Sequence, residues 1–183
     1  MAKLQRKNKS QGALEIPSLI RHESKLSHGL ARNYKLVVVC HNIRSAYNIG
    51  SIFRTADGAG VAKVYLTGYT PAPPHAGISK TALGAERFVN WEKISKLDAA
   101  FKKLKKEKYE LAAVEQNTRS TSYDFFKPKG KVALILGNEV RGLSAAILQK
   151  CDKIIEIPMR GEKESLNVSV AFGIAVYSTI SRQ

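Results

Sequence analysis

In the stretch KVALILGNEVRGLS, residues 131–144, an apolar run of strand length ends abruptly at a polar loop that contains two glycines. Similar short runs recur along the chain: KLVVVC at 35–40, VAKVYL at 61–66, YELAAV at 109–114 and KIIEIP at 153–158. Apolar, β-branched runs of this length are typical of strands that are buried on both faces of a sheet. They alternate with helical patterns, which predicts an α/β fold with a parallel sheet flanked by helices.

The chain divides into a basic arm and one domain. Residues 1–33 carry seven basic side chains against two acidic ones and show little periodicity, so they predict an N-terminal arm. Residues 34–183 contain all the strand patterns, and a chain of 183 residues with 44% apolar content suffices for one substantial core. We therefore expect a single folded domain over residues 34–183.

Two connecting segments have distinctive patterns. An apolar stripe predicts an amphipathic helix with lysines on its outer face, and it is formed by Ile94, Leu97, Phe101 and Leu104. The segment TGYTPAPPHAGISK, residues 67–80, contains three prolines and two glycines, which predict an irregular loop. Such a loop fits a substrate-facing lid or a plain connector equally well.

The charge favours a polyanionic partner. Lysine and arginine number 30 against 15 acidic residues, and the resulting formal charge of +15 attracts nucleic acid, although charge alone separates neither RNA from DNA nor a binder from a merely basic protein. Cys40 and Cys151 are the only cysteines and neither has a ligand cluster around it, so no metal is expected. The sequence shows no signal peptide and no apolar run of membrane-spanning length, so we expect a cytoplasmic protein without membrane contact.

The segment HNIRSAYNIGSIFRTADGAG, residues 41–60, predicts a polar loop followed by a helix that starts close to Asn48. On such a helix the apolar side chains can pack inward, namely Ile49, Ile52 and Phe53. Asn48 and Arg54 need not share that face. Because an arginine among apolar neighbours needs an anionic partner, Arg54 predicts either a structural carboxylate or a ligand phosphate.

The loop after residue 136 is suited to a small ligand. Gly137 and Gly142 flank Glu139, and a tight glycine loop exposes backbone groups for recognition. No Lys followed by Ser or Thr comes after the second glycine, as a Walker loop requires, and the sequence DGAGVAK lacks the third glycine of a dinucleotide fingerprint. ATP and NAD are therefore not favoured.

The segment IPMRGEKESLNVSVAFGIAVY, residues 157–177, predicts a strand end, a polar loop and a helix that begins around Ser165 to Asn167. Helix capping alone would explain the serine and the asparagine. The following helix carries small and apolar residues over much of its surface, which suits close packing against another subunit.

Together these three segments resemble the SpoU, or TrmH, branch of the SPOUT superfamily of RNA methyltransferases. The matching positions, in order along the chain, are Asn48, Gly50, Arg54-Thr55, Gly60, Gly137-Asn138-Glu139, Gly142-Leu143, and Ile157-Pro158-Met159 leading into Ser165 through Ala171. The resemblance runs from about residue 35 to the end of the chain. It implies a C-terminal trefoil knot in the parallel sheet, S-adenosylmethionine as cofactor, and a homodimer with each cofactor pocket near the subunit interface.

The resemblance also assigns site residues. The positions implied to hold the cofactor are Gly137, Asn138, Glu139, Ile157, Met159, Ser165, Leu166 and Asn167. The positions implied to surround the reacting groups are Asn48, Arg54, Glu139, Ser165 and Asn167. No metal is part of this site.

The activity implied by the resemblance is methyl transfer to a ribose 2'-hydroxyl of RNA. Arg54 is the residue implied to activate that hydroxyl, but a guanidinium stays protonated at neutral pH, so we interpret its role as holding a phosphate and stabilising the emerging alkoxide. The chain shows no separate RNA-binding domain, and on that ground we predict tRNA as the substrate. Ribosomal RNA is the alternative, as is a non-catalytic RNA-binding protein of the same fold.

Overall fold

The computed structural model describes residues 35–128 and 130–182. Within these residues the strands are β1 (Leu36–His41), β2 (Lys63–Thr67), β3 (Trp91–Ile94), β4 (Glu110–Val114), β5 (Thr121–Ser122), β6 (Val132–Leu136) and β7 (Lys153–Glu156). The helices are α1 (Ala46–Gly58), α2 (Ala76–Ala82), α3 (Leu97–Lys106), α4 (Ala145–Leu148) and α5 (Val168–Ser181). Two short 3₁₀ turns span Ala85–Arg87 and Tyr123–Phe125. The predicted basic arm, residues 1–33, lies outside the described residues.

The strands form one parallel sheet in the order β3-β2-β1-β6-β4-β7-β5. Strands β1 and β6 pair at its centre, with Val38 opposite Leu134. Both strands are almost wholly buried, as their unbroken apolar runs require. The predicted parallel α/β sheet flanked by helices is confirmed, and the trefoil knot stays a prediction.

Helices cover both faces of the sheet. Alternate residues of the central strands point to opposite sides, so each face has its own apolar core. Helices α1, α2 and α5 pack on one face through buried side chains that include Phe53, Ile78 and Phe172. Helices α3 and α4 pack on the other through Phe101, Leu104 and Leu148 among others.

The chain leaves the two central strands in opposite directions. After β1 it passes through α1 to β2 on one side, and after β6 it passes through α4 to β7 on the other. Helices α1 and α4 belong to opposite faces. The carboxyl ends of β1 and β6 therefore form a switch point, which is where open α/β sheets bind their ligands.

The sequence patterns located five of the strands, and the structure adds the short strands β3 and β5. Ile94 does not belong to the amphipathic helix as predicted, because it ends β3 and pairs with Thr67, while α3 begins at Leu97. The prediction of an irregular loop over residues 67–80 is wrong in its second half. The three prolines all precede His75, which caps α2 and so allows a helix from Ala76.

Helix α5 carries no charged side chain along its 14 residues. Its inner side is buried, whereas Val170 and Tyr177 on the outer side are half exposed. The outer side of α5 is therefore an apolar surface on an otherwise highly charged protein.

No helix in the described part of the chain is long and apolar enough to cross a membrane.

Gly50→Ala is expected to destabilise the fold by about 1–3 kcal/mol, the usual cost of overpacking. Helices α1 and α2 touch at Gly50, where an added Cβ would collide with the carbonyl oxygen of Ile78 and the hydroxyl of Thr81. Urea unfolding of the two proteins measures the difference. Ser51→Ala on the same helix is the control, with an expected change within about 0.5 kcal/mol. Equal stability of the Gly50 variant and wild type would contradict this close packing.

Candidate active site

Loops at the carboxyl ends of β4, β6 and β7 enclose a cleft of about 190 Å³. The first turn of α5 closes one wall through Val168 and Ala171. Seven of the eight residues predicted to hold a cofactor line this cleft: Gly137, Asn138, Glu139, Ile157, Met159, Ser165 and Leu166. Asn167, the eighth, lies outside the lining, as the N-cap of α5.

The loop after β6 folds tightly back on itself. The backbone N–H of Gly142 donates to the carbonyl oxygen of Asn138 at 2.9 Å, and Gly142 has a φ of +60°, a conformation that favours glycine. A carboxylate oxygen of Glu115 accepts from the N–H of Leu143 at 2.9 Å and leaves no space for a Cβ at position 142. The second glycine of the motif is thus favoured by its conformation, and a Cβ there would displace the Glu115 carboxylate.

The buried Asn138 side chain fixes this loop. Its Oδ1 accepts from the backbone N–H groups of Val140 and Arg141 at 3.0 and 2.8 Å. Its Nδ2 donates to the carbonyl oxygen of Asn42 and to the hydroxyl of Tyr69, at 3.0 and 2.9 Å. Asn138 therefore positions the loop, and its side-chain amide is fully used in doing so.

Glu139 connects the β6 loop to the start of α1. Its carboxylate accepts from the backbone N–H of Arg44 at 2.9 Å, from the N–H of Ser45 at 3.0 Å and from the Asn48 side-chain amide at 3.0 Å. Partial burial raises the pKa of Glu139, but these hydrogen bonds outweigh it and hold the pKa below the ordinary value. The carboxylate therefore remains ionised at the positive end of the α1 dipole.

The hydrogen bonds continue from Asn48 to the third motif. The Oδ1 of Asn48 accepts from the Nδ2 of Asn167 at 3.0 Å, and the Oδ1 of Asn167 caps α5 by accepting from the N–H of Ser169 at 2.8 Å. Asn167 thus serves both as the predicted helix cap and as part of the polar cluster. We call Glu139, Asn48 and Asn167 the carboxylate–amide chain.

Arg54 does not belong to the carboxylate–amide chain. It lies six residues after Asn48 on α1, about 9 Å along the helix axis, and it is exposed rather than surrounded by apolar side chains. It lines a shallow depression between α1, α2 and α5 together with Ser51, Thr81 and Tyr177, among others. None of the salt bridges within residues 35–128 and 130–182 includes Arg54, so its guanidinium is available to an external anion.

The sequence predictions missed the β4 side of the cleft. Glu115 and Gln116 line it, and the Gln116 side chain donates to the carbonyl oxygen of Glu164 at 2.7 Å, which ties the β4 loop to the β7 loop. Both residues directly follow the apolar run of β4, at the same strand end as the β6 motif. Their position directly after a predicted parallel strand is the sequence signal that could have found them.

The cleft combines apolar walls with negative charge. Leu136, Val168 and Ala171 provide apolar contacts, and the carboxylate residues on the lining are Glu115, Glu139, Glu156 and Glu164. Such a lining suits a partly apolar ligand with cationic groups better than a phosphate. Within the described ranges no cluster of three or more His, Cys, Asp or Glu residues could hold a metal ion.

The fold and the cleft define the class: a parallel α/β protein whose ligand cleft is built from the loops after β4, β6 and β7. The SpoU rRNA Methylase family matches residues 35–177, and the chain belongs to that family. The family predicted from the three motifs is thereby confirmed.

Relatives of known name are similar over most of this chain. A 23S rRNA (guanosine-2'-O-)-methyltransferase RlmB of Vibrio vulnificus is 29% identical over 170 residues, which cover 91% of this chain and 68% of the relative. The enzyme of the same name from Xanthomonas axonopodis pv. citri is 30% identical over 148 residues, which cover 81% of this chain and 59% of the relative. The chain thus spans about three fifths to two thirds of these relatives.

Solved structures share the fold. The A. aeolicus TrmH/SpoU tRNA modifying enzyme superimposes with a TM-score of 0.74 at 28% identity, over 82% of this chain and 76% of that one. An AdoMet-bound rRNA methyltransferase from Sinorhizobium meliloti gives a TM-score of 0.74 at 24% identity, over 84% and 58% of the two chains. The second likeness supports the architecture only.

Proposed function

We propose that this protein transfers a methyl group from S-adenosylmethionine to a ribose 2'-hydroxyl of RNA. S-adenosylmethionine is the cofactor, and the cleft fits it, with apolar walls for a purine and carboxylates for its cationic groups. The observation that carries the proposal is the carboxylate–amide chain, which runs from the cleft lining at Glu139 to the starts of α1 and α5. It brings residues from all three motifs to one place.

The side chains of this protein act mainly by aligning the reacting groups. When bound, S-adenosylmethionine supplies an electrophilic methyl group on a sulfonium. The carboxylate–amide chain fixes the start of α1 relative to the β6 loop, so that a ribose hydroxyl can be held in line with the cleft, and proximity of this kind contributes much of the rate. Arg54 holds the adjacent phosphate and stabilises the developing alkoxide, and the hydroxyl proton leaves to phosphate or water.

RNA is the substrate class that the charge of +15 suits. The compactness of the chain does not suffice to predict tRNA as the substrate. Two relatives named for 23S rRNA match it over 91% and 81% of its length. A tRNA modifying enzyme shares the fold. Ribosomal RNA therefore stands beside tRNA, and it is the first substrate to test.

A homodimer completes the proposal. The depression around Arg54 adjoins the apolar outer side of α5 at Tyr177. A second subunit on this side would cover the apolar face formed by Val170 and Tyr177. Sedimentation equilibrium should then give about twice the chain mass of 20.2 kDa.

The direct test is methyl transfer. Purified protein is incubated with radiolabelled S-adenosylmethionine and either unmodified ribosomal RNA or unmodified tRNA, and the RNA is digested to nucleosides. We expect label in a 2'-O-methylnucleoside. Label in a methylated base would overturn the ribose assignment. Cofactor binding without transfer to either RNA would favour the non-catalytic RNA-binding alternative.

A further inference from the structure

We infer that Tyr69 is a stacking platform for a base of the RNA next to the methylated ribose, an inference that rests on the proposed function. Tyr69 follows β2 at the carboxyl edge of the sheet, and its side chain is 60% exposed. Its hydroxyl accepts from the Asn138 amide at 2.9 Å, so the ring is attached to the loop that carries Glu139. Tyr69 does not line the cleft.

The turn that carries Tyr69 is fixed by its neighbours. The backbone N–H of Tyr69 donates to the Oδ1 of Asn42 at 3.2 Å. The ammonium group of Lys93 donates to the carbonyl oxygens on both sides, those of Gly68 and Thr70. The Thr70 hydroxyl is buried and donates within the same network. The ring is thus held in a defined position before any RNA binds.

A rigid, exposed aromatic ring beside a ribose site has a clear chemical use. Proteins that read RNA stack unpaired bases on aromatic side chains, and every base offers a face for such stacking. When a ribose in an unpaired RNA segment enters a cleft at the sheet edge, its nucleotide can turn out of its stack. Tyr69 would replace the lost base-to-base contact. Arg44 is exposed, and its own backbone N–H donates to Glu139. Its side chain lies on the same rim and suits a neighbouring phosphate.

The shared amide of Asn138 adds a link to the cofactor cleft. The same side chain holds the backbone of Val140 and Arg141 and the Tyr69 hydroxyl. The Tyr69 ring and the β6 loop therefore belong to one hydrogen-bonded unit. The ring itself should govern RNA binding, and the hydroxyl should contribute only to its orientation.

Three variants separate these roles in filter binding with labelled, unmodified ribosomal RNA. Tyr69→Ala removes the ring, and we expect RNA binding to weaken about tenfold or more. Tyr69→Phe keeps the ring, and we expect a loss below about threefold. Phe88→Ala is the matched control, because Phe88 is 79% exposed and lies at the amino end of the strands, so its binding should equal that of wild type. Calorimetry should show S-adenosylmethionine binding unchanged in all three.

The inference is overturned if Tyr69→Ala binds RNA as tightly as Phe88→Ala, or if Tyr69→Phe is as weak as Tyr69→Ala. The second result would assign the effect to the hydroxyl and the Asn138 loop. A parallel methyl-transfer assay on wild type keeps the proposed function separate. If wild type transfers methyl groups but Tyr69→Ala does not weaken RNA binding, the proposed function is supported and the stacking platform is not. If RNA binding depends on the ring but wild type transfers no methyl group, only the stacking platform is supported.

Discussion

Glu139→Gln is expected to slow methyl transfer by at least about a hundredfold, which corresponds to about 2.7 kcal/mol of transition-state stabilisation. The carboxylate accepts three hydrogen bonds, from the backbone of Arg44 and Ser45 and from the Asn48 side chain. Hydrogen bonds to a charged group are worth about 1.5–3 kcal/mol each. A glutamine at this position turns an amide donor toward at least one of these donors, so the start of α1 moves away from the cleft.

The measurement is the initial rate of methyl transfer at saturating S-adenosylmethionine. Glu162→Gln is the control, since Glu162 is exposed on the polar loop after β7 and lies outside the cleft lining. It removes the same charge without touching the carboxylate–amide chain, and its rate should stay within about twofold of wild type. Equal rates for the Glu139 variant and this control would show that the carboxylate–amide chain does not position the reacting groups.

The same variant gives a prediction for pH. The pKa of Glu139 lies below its ordinary value of 4.5, so its hydrogen bonds stabilise the fold fully above that value. This contribution is lost as the pH falls through the lowered pKa of the folded state. The difference in Tm between wild type and Glu139→Gln should therefore be largest above about pH 5 and narrow toward pH 3. A difference that widens on acidification would mean that folding raises the pKa.

Local pattern was sufficient for the central sheet and insufficient for its edges. The runs in β1 and β6 are buried on both faces, so their apolar character is continuous and visible in the sequence. Strand β3, with the sequence WEKI, is a half-exposed edge strand and mixes charged with apolar residues. The pairing of Ile94 with Thr67 is a contact between distant segments, and it outweighed the helical spacing that linked Ile94 to Leu97.

The candidate site divides in a similar way. The motif residues were predicted because they cluster in three short segments, and most of the predicted cofactor positions line one cleft. Their partners were not predictable, because Glu139 bonds the backbone of Arg44 across 95 residues and Glu115 bonds Leu143 across 28. Only the folded sheet places these groups together. The carboxylate–amide chain and the Tyr69 contact are accordingly findings of the structure.

Arg54→Ala is expected to reduce methyl transfer by about 10²–10³-fold, the usual effect of removing one group that stabilises developing charge. S-adenosylmethionine binding should be unchanged, because Arg54 does not line the cleft. Arg54→Lys keeps the charge but loses the planar fork that binds a phosphate with two hydrogen bonds, so it should recover only part of the rate. Activity of Arg54→Ala close to that of wild type would exclude the proposed role.

The position of Arg54 also predicts how two inactive variants behave when mixed. Within one chain it lies in a separate depression from the carboxylate–amide chain, on the side of the apolar α5 face where we place the second subunit. If Arg54 serves the partner's cleft, a heterodimer of Arg54→Ala and Glu139→Gln contains one site with both changes and one site with neither. Co-expressed, differently tagged chains should then regain up to about half of the wild-type rate per dimer, since one of two sites is intact. A heterodimer as inactive as either parent would place Arg54 at the cleft of its own chain, since each site would then carry one defect.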